Sequence, residues 1–271
     1  VKKTSFALTL LFGLAAAGRG HAAPISLSGG SYAENFDTLI NTPGSTTSSL
    51  LPNGWSLTES GDGARNNGQY GVDSGTGNTG DIYSYGTANA TDRALGSLRS
   101  GTLIPIFGAQ FRNDTGSAIT ALDIAYIGEQ WRLGTAGRSD RLAFQYSTDA
   151  SSLFDGTYLG FDALDFVTPN TVGTGAKNGN QVGNFSAIGA TLSGLNIANN
   201  ASFWIRWVDV DASGADDGLA IDNFALTPGL RQATASVPEP AAPALALIGL
   251  ASLLTVSRLR RSPDQRLSGT R

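Results

Sequence analysis

The sequence predicts an all-β protein whose body is a sandwich of two packed sheets. Three observations predict it. Glycine supplies 35 of 271 residues, alongside many Ser, Thr and Asn. Helical periodicity is scarce, and short β-branched or aromatic runs alternate apolar and polar with period two. Leu142, Phe144 and Tyr146 share one side of their run, with Ala143, Gln145 and Ser147 on the other; Leu122, Ile124 and Tyr126 repeat the pattern beside Asp123 and Ala125. One apolar side per strand requires a second sheet to cover it.

Residues 1–22 have the layout of a secretory signal peptide. Lys2 and Lys3 precede an apolar run from Phe6 to Ala17, and small residues follow up to Ala23. Charged start, short apolar stretch and small-residue cut site are the three parts of such a leader. Cleavage is expected after Ala22, with Ala17 as the competing position.

Residues 23–231 form the expected sandwich, about 210 residues, a size that suits one all-β domain. The strands expected in order are 32–39, 55–59, 81–86, 94–100, 103–112, 121–133, 141–148, 158–166, 191–197, 202–211 and 218–226. Stretches 41–49, 61–80 and 173–183 are rich in Gly, Ser, Asn and Thr and read as loops. Residues 232–236 read as a linker.

Cysteine is absent, which removes disulfides and thiol chemistry; the single histidine, His21, lies in the leader. The body therefore has no imidazole for a Ser-His-Asp triad or a metal site. It holds ten of the eighteen basic residues and twenty of the twenty-two acidic ones, a net charge of about −10. Phosphate backbones are repelled by such a surface, so no nucleic-acid partner is expected. Calcium, which takes carboxylate and carbonyl oxygens, is suited by it.

The tail has three features in fixed order. Val237, Pro238, Glu239 and Pro240 come first, then an apolar run over 241–257, then Arg258, Arg260 and Arg261, with a basic tail over 262–271. The run is near the lower length limit for a spanning helix, and the arginines hold their side in the cytoplasm. This order resembles the PEP-CTERM sorting signal of Gram-negative bacteria, over 237–261. That resemblance implies export, a transient anchor in the inner membrane, and processing by an exosortase near the Pro-Glu-Pro. An ordinary C-terminal anchor is the alternative reading.

The body carries a second, less specific resemblance. Glu34-Asn35-Phe36-Asp37, the stretch from Leu51 to Trp55, and Asp222-Asn223-Phe224 resemble the first and last strands of jelly-roll modules, among them carbohydrate-binding and lectin-like domains. The resemblance implies that the terminal strands are neighbours, with a structural calcium between them.

Two groups of residues could carry a ligand. Asp209, Asp211 and Ser213 alternate ahead of Gly214, as in the first half of an EF-hand loop, with Asp216, Asp217 and Asp222 following. Ala220 stands where the bidentate glutamate would fall, so a complete EF-hand is excluded. Calcium held here or at Asn35, Asp37 and Asp222 competes with a plain solvated turn. Exposed aromatics are the second group, because sugar rings pack on flat aromatic surfaces. Trp131 is the leading candidate, flanked by Glu129 and Arg132, with Tyr126 in the same run; core packing is the competing reading for each tryptophan. In Phe203-Trp204-Ile205-Arg206-Trp207 the alternation sets Trp204 and Arg206 apart from the other three.

The expected function is that of a non-catalytic exported protein of the cell surface or extracellular matrix, binding exopolysaccharide with a structural calcium. The alternative is a secreted glycoside hydrolase, which needs two carboxyls flanking the scissile bond. The pairs on offer are Glu129 with Asp123 or with Asp209, although the Glu-x-Asp-x-x-Glu pattern of jelly-roll glucanases is missing.

Overall fold

A computed structural model describes residues 23–43, 48–61 and 65–231. The expected leader, linker, Pro-Glu-Pro motif, apolar span and arginine cluster all lie outside the described residues. No helix among the described residues is long and apolar enough to cross a membrane.

The body is a β-sandwich of a seven-stranded and an eight-stranded sheet. In chain order the strands are β1 (Ile25–Ser26), β2 (Tyr32–Glu34), β3 (Trp55–Ser60), β4 (Tyr70–Asp73), β5 (Asp81–Tyr85), β6 (Ala94–Leu98), β7 (Ile104–Arg112) and β8 (Ile119–Leu133). They continue with β9 (Arg141–Ser147), β10 (Leu159–Gly160), β11 (Phe166–Val167), β12 (Gly175–Ala176), β13 (Phe185–Ile197), β14 (Ser202–Asp209) and β15 (Gly218–Leu230). The first sheet runs β1-β7-β14-β9-β10, with β3 on β7 and β11 on β9; the second runs β12-β8-β15-β6-β5-β4, with β13 on β8 and β2 on β15. The terminal strands are neighbours, since β2 pairs antiparallel with β15 at Glu34 opposite Phe224.

The alternation in β14 is resolved by burial. Phe203, Ile205 and Trp207 face the core, and Trp207 is its hub. Its indole lies 6.1 Å from Trp55 and 5.9 Å from Phe107 in stacked geometry, and meets Tyr126, Phe144 and Phe224 edge-on at 5.3–5.8 Å. Offset and edge-on contacts of this kind add to the burial of large apolar area. Aromatics from both sheets therefore close the interior without disulfides.

Several expected boundaries change. The stretch 61–80, expected as loop throughout, contains β4, which pairs parallel with β5. The loop expected at 173–183 holds the short β12 on the end of β8. The strand expected at 158–166 is broken by a 3-10 turn, Asp162–Leu164, which sinks Leu164 into the core. The strand expected at 191–197 begins six residues earlier, because β13 follows β8 in continuous register from Phe185 to Ser193.

Candidate functional site

The acidic loop after β14 does not converge on a common centre. Asp209 points inward and is fully buried, accepting the Ser97 hydroxyl at 2.9 Å. Burial, with Asp140 and Asp216 nearby, holds its carboxyl well above the usual range. Asp211 points outward, 67% exposed, 3.7 Å from Arg99. Asp217 accepts the Gly134 amide and the Thr168 hydroxyl, each at 2.8 Å, and Asp216 accepts the Ala212 amide at 2.9 Å. Ser213 contributes its carbonyl to Arg138 Nε. That guanidinium also stands 3.2 Å from Asp140 and 3.7 Å from Asp217. Protein donors thus engage Asp216, Asp217 and one oxygen of Asp209, Asp211 turns to solvent, and Arg138 stands beside Asp140 and Asp217. Asp209, Asp211, Ser213, Asp216 and Asp217 do not form the expected ligand set. The physical reason is that the chain leaves the sheet at Asp209, so strand alternation stops carrying successive carboxylates to one side.

Asp222 lies elsewhere, in β15, buried with its oxygens on the amide and side chain of Asn223 at 2.6 and 2.7 Å. Burial raises its pKa to about 7, assisted by Asp92, Asp37 and Glu34. Asp37 accepts the Asn35 side chain at 2.7 Å and the Arg93 amide at 3.2 Å. An open groove of about 350 Å3 lined by Glu34, Asn35 and Asn223 lies between the terminal strands. Of the carboxylates around Asp222, Glu34 alone lines that groove. No group of three or more His, Cys, Asp or Glu side chains among the described residues stands in metal-binding arrangement.

The four residues expected to bind a sugar are dispersed. Trp131 is only 2% exposed. It stacks on Tyr85 at 6.1 Å and 4°, and donates its indole N–H to Glu129 at 2.8 Å. A Cβ built on Gly179 would lie 2.4 Å from the indole nitrogen, so the loop after β12 roofs the ring. Arg132 turns away to the carbonyls of Gly75 and Thr76 at 3.2 and 3.4 Å. Tyr126 is on the inner face, its hydroxyl on the Leu164 carbonyl at 2.6 Å. Trp131 is therefore a packing residue whose polar neighbours satisfy the indole and the roofing loops. Burial pushes Glu129 up to about 8, with Asp222 and Asp92 adding to the rise.

The carboxyl pairs named for hydrolysis also fail on geometry. Asp123 accepts the Thr191 hydroxyl at the outer surface, six residues along β8 from Glu129. At the rise of an extended strand that is about 20 Å, against the ~5–9.5 Å that glycoside hydrolysis needs. Asp209 lies in the interior between the sheets, on Ser97.

The outer face of the first sheet is different. Cross-strand register aligns Ser56, Gly108, Arg206, Gln145 and Gly160 in one row over five strands. Thr58, Ile106, Val208 and Ala143 form the next row, and Gln110, Trp204 and Ser147 the one on the other side. Arg206 is fixed from three directions. Its Nε donates to Gln145 Oε1 at 2.8 Å, its Nη1 to the Leu153 carbonyl, and its Cζ lies 3.5 Å over the Tyr158 ring. Gly108 is required there, because a Cβ would come 2.1 Å from the Ile205 carbonyl. Of the two glycines in the row, Gly108 is buried against β14 and Gly160 is exposed beyond Gln145.

The loop between β9 and β10 supplies an aromatic tip. Asp155 accepts the amides of Ser151 and Ser152 at 2.7 and 2.8 Å, and Asp149 accepts the Thr157 amide at 2.8 Å. The Ser151 hydroxyl and these amides hold Asp155, and the Thr157 amide with the Ser147 hydroxyl holds Asp149, below the usual carboxylate range. The turn so fixed leaves Phe154 74% exposed, while Trp204 on the same side of the sheet is buried. Tyr158 anchors the far side through its hydroxyl on Ser152. Sequence reasoning set Trp204 and Arg206 opposite Phe203, Ile205 and Trp207 without deciding which side is core, and passed over Gln145, Phe154 and Tyr158. The available signal was Asp149-Ala-Ser-Ser-Leu-Phe-Asp155-Gly, a turn sequence carrying a large aromatic.

No family model matches the chain, and no curated protein matches it. Solved structures with a similar outline include the xylan-binding CBM22-1 domain of Paenibacillus barcinonensis Xyn10C, at 12% identity and TM-score 0.33, covering 74% of this chain and 95% of that one. A family 61 carbohydrate-binding module with β-1,4-galactotriose is 9% identical, TM-score 0.33, over 65% and 88%. The K3 cleaved adhesin domain of Lys-gingipain from Porphyromonas gingivalis is 14% identical, TM-score 0.37, over 66% and 93%. These likenesses are distant, and no residue role is taken from them.

Proposed function

We propose that this chain is an exported, non-catalytic polysaccharide-binding protein that holds its ligand on the outer face of the first sheet. The observation that carries the reading is Arg206, clamped between Tyr158 and Gln145 beside the exposed Phe154. Phe154 offers an apolar ring to the C–H face of a sugar. Arg206 is fixed before the ligand arrives, so little side-chain entropy is lost on binding. Ser56, Thr58, Gln110 and Gln145 present hydroxyl and amide groups to the ligand along the same sheet, suited to an extended chain lying across the strands.

Delivery and anchoring belong to the same reading. The leader over 1–22 exports the body, and the segment 237–261 holds it at the inner membrane until an exosortase cuts near Val237–Pro240, releasing it to the cell surface or matrix. Calcium in this reading is structural, with Asp37, Asn35 and Asp222 as its holders between the terminal strands. There it would offset the repulsion of buried Asp222 by Asp92, Asp37 and Glu34.

Affinity electrophoresis of the full chain through gels carrying a panel of bacterial exopolysaccharides and xylans tests the site. Retardation by at least one polysaccharide is expected, weakened about tenfold by Arg206→Ala and by Phe154→Ala, the loss of roughly 1.4 kcal/mol of contact. A wild type that migrates unretarded in every gel, or variants that bind as it does, would contradict the reading.

A further inference from the structure

We infer that the free edge of β13 is a self-association surface, on which a second copy of this chain adds its own β13 antiparallel. Among the described residues β13 pairs with β8 alone, so its other edge presents unpaired amide and carbonyl groups. Proteins protect such edges with charge, proline or short length, and this strand has none of these. It is thirteen residues long, Phe185–Ile197, and contains neither proline nor a charged residue. No charged residue occurs anywhere from 178 to 205. The other outermost strands differ: β1, β10 and β11 have two residues each, β4 has four, and β3 ends with Glu59 and Ser60.

Charge selects the occupant. The body carries about −10, so two copies repel wherever carboxylates face each other. The uncharged edge is where a like copy can approach without that cost, and it gives a basic or acidic partner nothing to pair with. Register to β8 is unbroken from Phe185 to Ser193 and shifts only beyond it, where Gly194 takes a φ of 78°. A two-fold axis at Gly189, the midpoint of that run, sets Phe185 opposite Ser193 and Ala187 opposite Thr191. No like charges meet in that arrangement, and the second sheet continues from one copy into the next as a closed, isologous pair.

The absence of cysteine gives a direct test. In the full chain in detergent, Gly189→Cys places one thiol per copy on the axis, where a Cβ meets only ordinary contacts, the nearest 3.6 Å away. Directly opposed residues of an antiparallel pair have Cα atoms about 4.5–5.5 Å apart, within disulfide reach. Under mild oxidation this variant is expected to cross-link at least ten times faster than Ala136→Cys, which lies on an exposed turn. Adding Ala187→Lys, which puts an ammonium on each edge, returns the rate to that of Ala136→Cys, whereas Ala187→Thr leaves it high. Equal rates for the two cysteine variants, or a rate indifferent to Ala187→Lys, overturn the inference. Sedimentation of the unsubstituted chain supplies a readout independent of any variant: concentration-dependent dimers are expected, and one monomeric species at all concentrations overturns it.

Discussion

The two outer faces of the sandwich carry the same kinds of residue and present opposite surfaces. On the second sheet Trp131, Tyr85 and Tyr83 gather with Leu98 and Ala220 into a satellite cluster, closed over by the loops after β4 and β12. On the first sheet Arg206, Gln145 and Gln110 remain half-exposed, and the loop after β9 ends in an uncovered phenyl ring. A tryptophan flanked by polar residues is thus no marker of a binding surface. Trp131 has polar neighbours because its buried N–H needs a partner, and Glu129 supplies one. What separates the two faces is how far the loops reach across each sheet.

That contrast can be broken most sharply by truncation. Trp131→Ala is expected to cost about 3–5 kcal/mol, as for a large buried aromatic, while Phe154→Ala stays within about 0.5 kcal/mol because it empties no cavity. Urea unfolding of the two variants measures both, and equal losses would erase the distinction between the faces. The second face should also be the one that loses stability as pH rises. Asp222 and Glu129 titrate near 7 and 8 under burial, among Asp92, Asp37, Glu34 and Arg93, and Asp81 is raised to about 7 by burial and by Glu59. These carboxyls bind protons more tightly folded than unfolded, so stability is greatest below about pH 4.5 for these groups and falls as pH rises toward 8. Without added metal, the Tm is expected to drop by on the order of 5–10 °C between pH 5 and pH 8. Calcium should reduce that drop and Asp222→Asn should shrink it; a chelator that leaves the pH 8 melting curve unchanged would retire the calcium proposal. The smallest effect concerns the roof itself. Gly179→Ala forces the loop off the indole at a cost of about 1–3 kcal/mol, visible as increased acrylamide quenching of tryptophan fluorescence, and unchanged quenching would mean the loop does not seal Trp131.

The class of fold was legible because alternation survives in the strands that pack on the core. Leu142 and Phe144, Leu122 and Ile124, and the Phe203–Trp207 run all face the way their period indicates. The first half of β13 was not legible. Phe185-Ser-Ala-Ile-Gly-Ala sets its two large apolar residues three apart among small ones, so no period of two shows, and it is a strand because the ladder of β8 is there to be completed. The turn at Asp162–Leu164 was hidden for a related reason: the Asp165 carboxylate accepts the Phe144 amide and Leu164 fills the core, contacts set by distant residues. For the site, sequence order identified which strand positions face outward but not which of them loops would cover. Trp131, Tyr126, Asp209, Asp216 and Asp217 were nominated on residue type, and their contacts commit them to the interior, while Asp211 turns to solvent. Phe154 and Tyr158 lay in a stretch whose Ser and Asp content reads only as a turn.

The location of the ligand is tested most directly by hydrogen–deuterium exchange of the full chain with and without a retained polysaccharide. Protection is predicted at 143–158 and 204–208, around Arg206 and the Phe154 loop, with no change at 175–184. Protection confined to 175–184 and 129–132 would place the ligand over Trp131 and contradict the account.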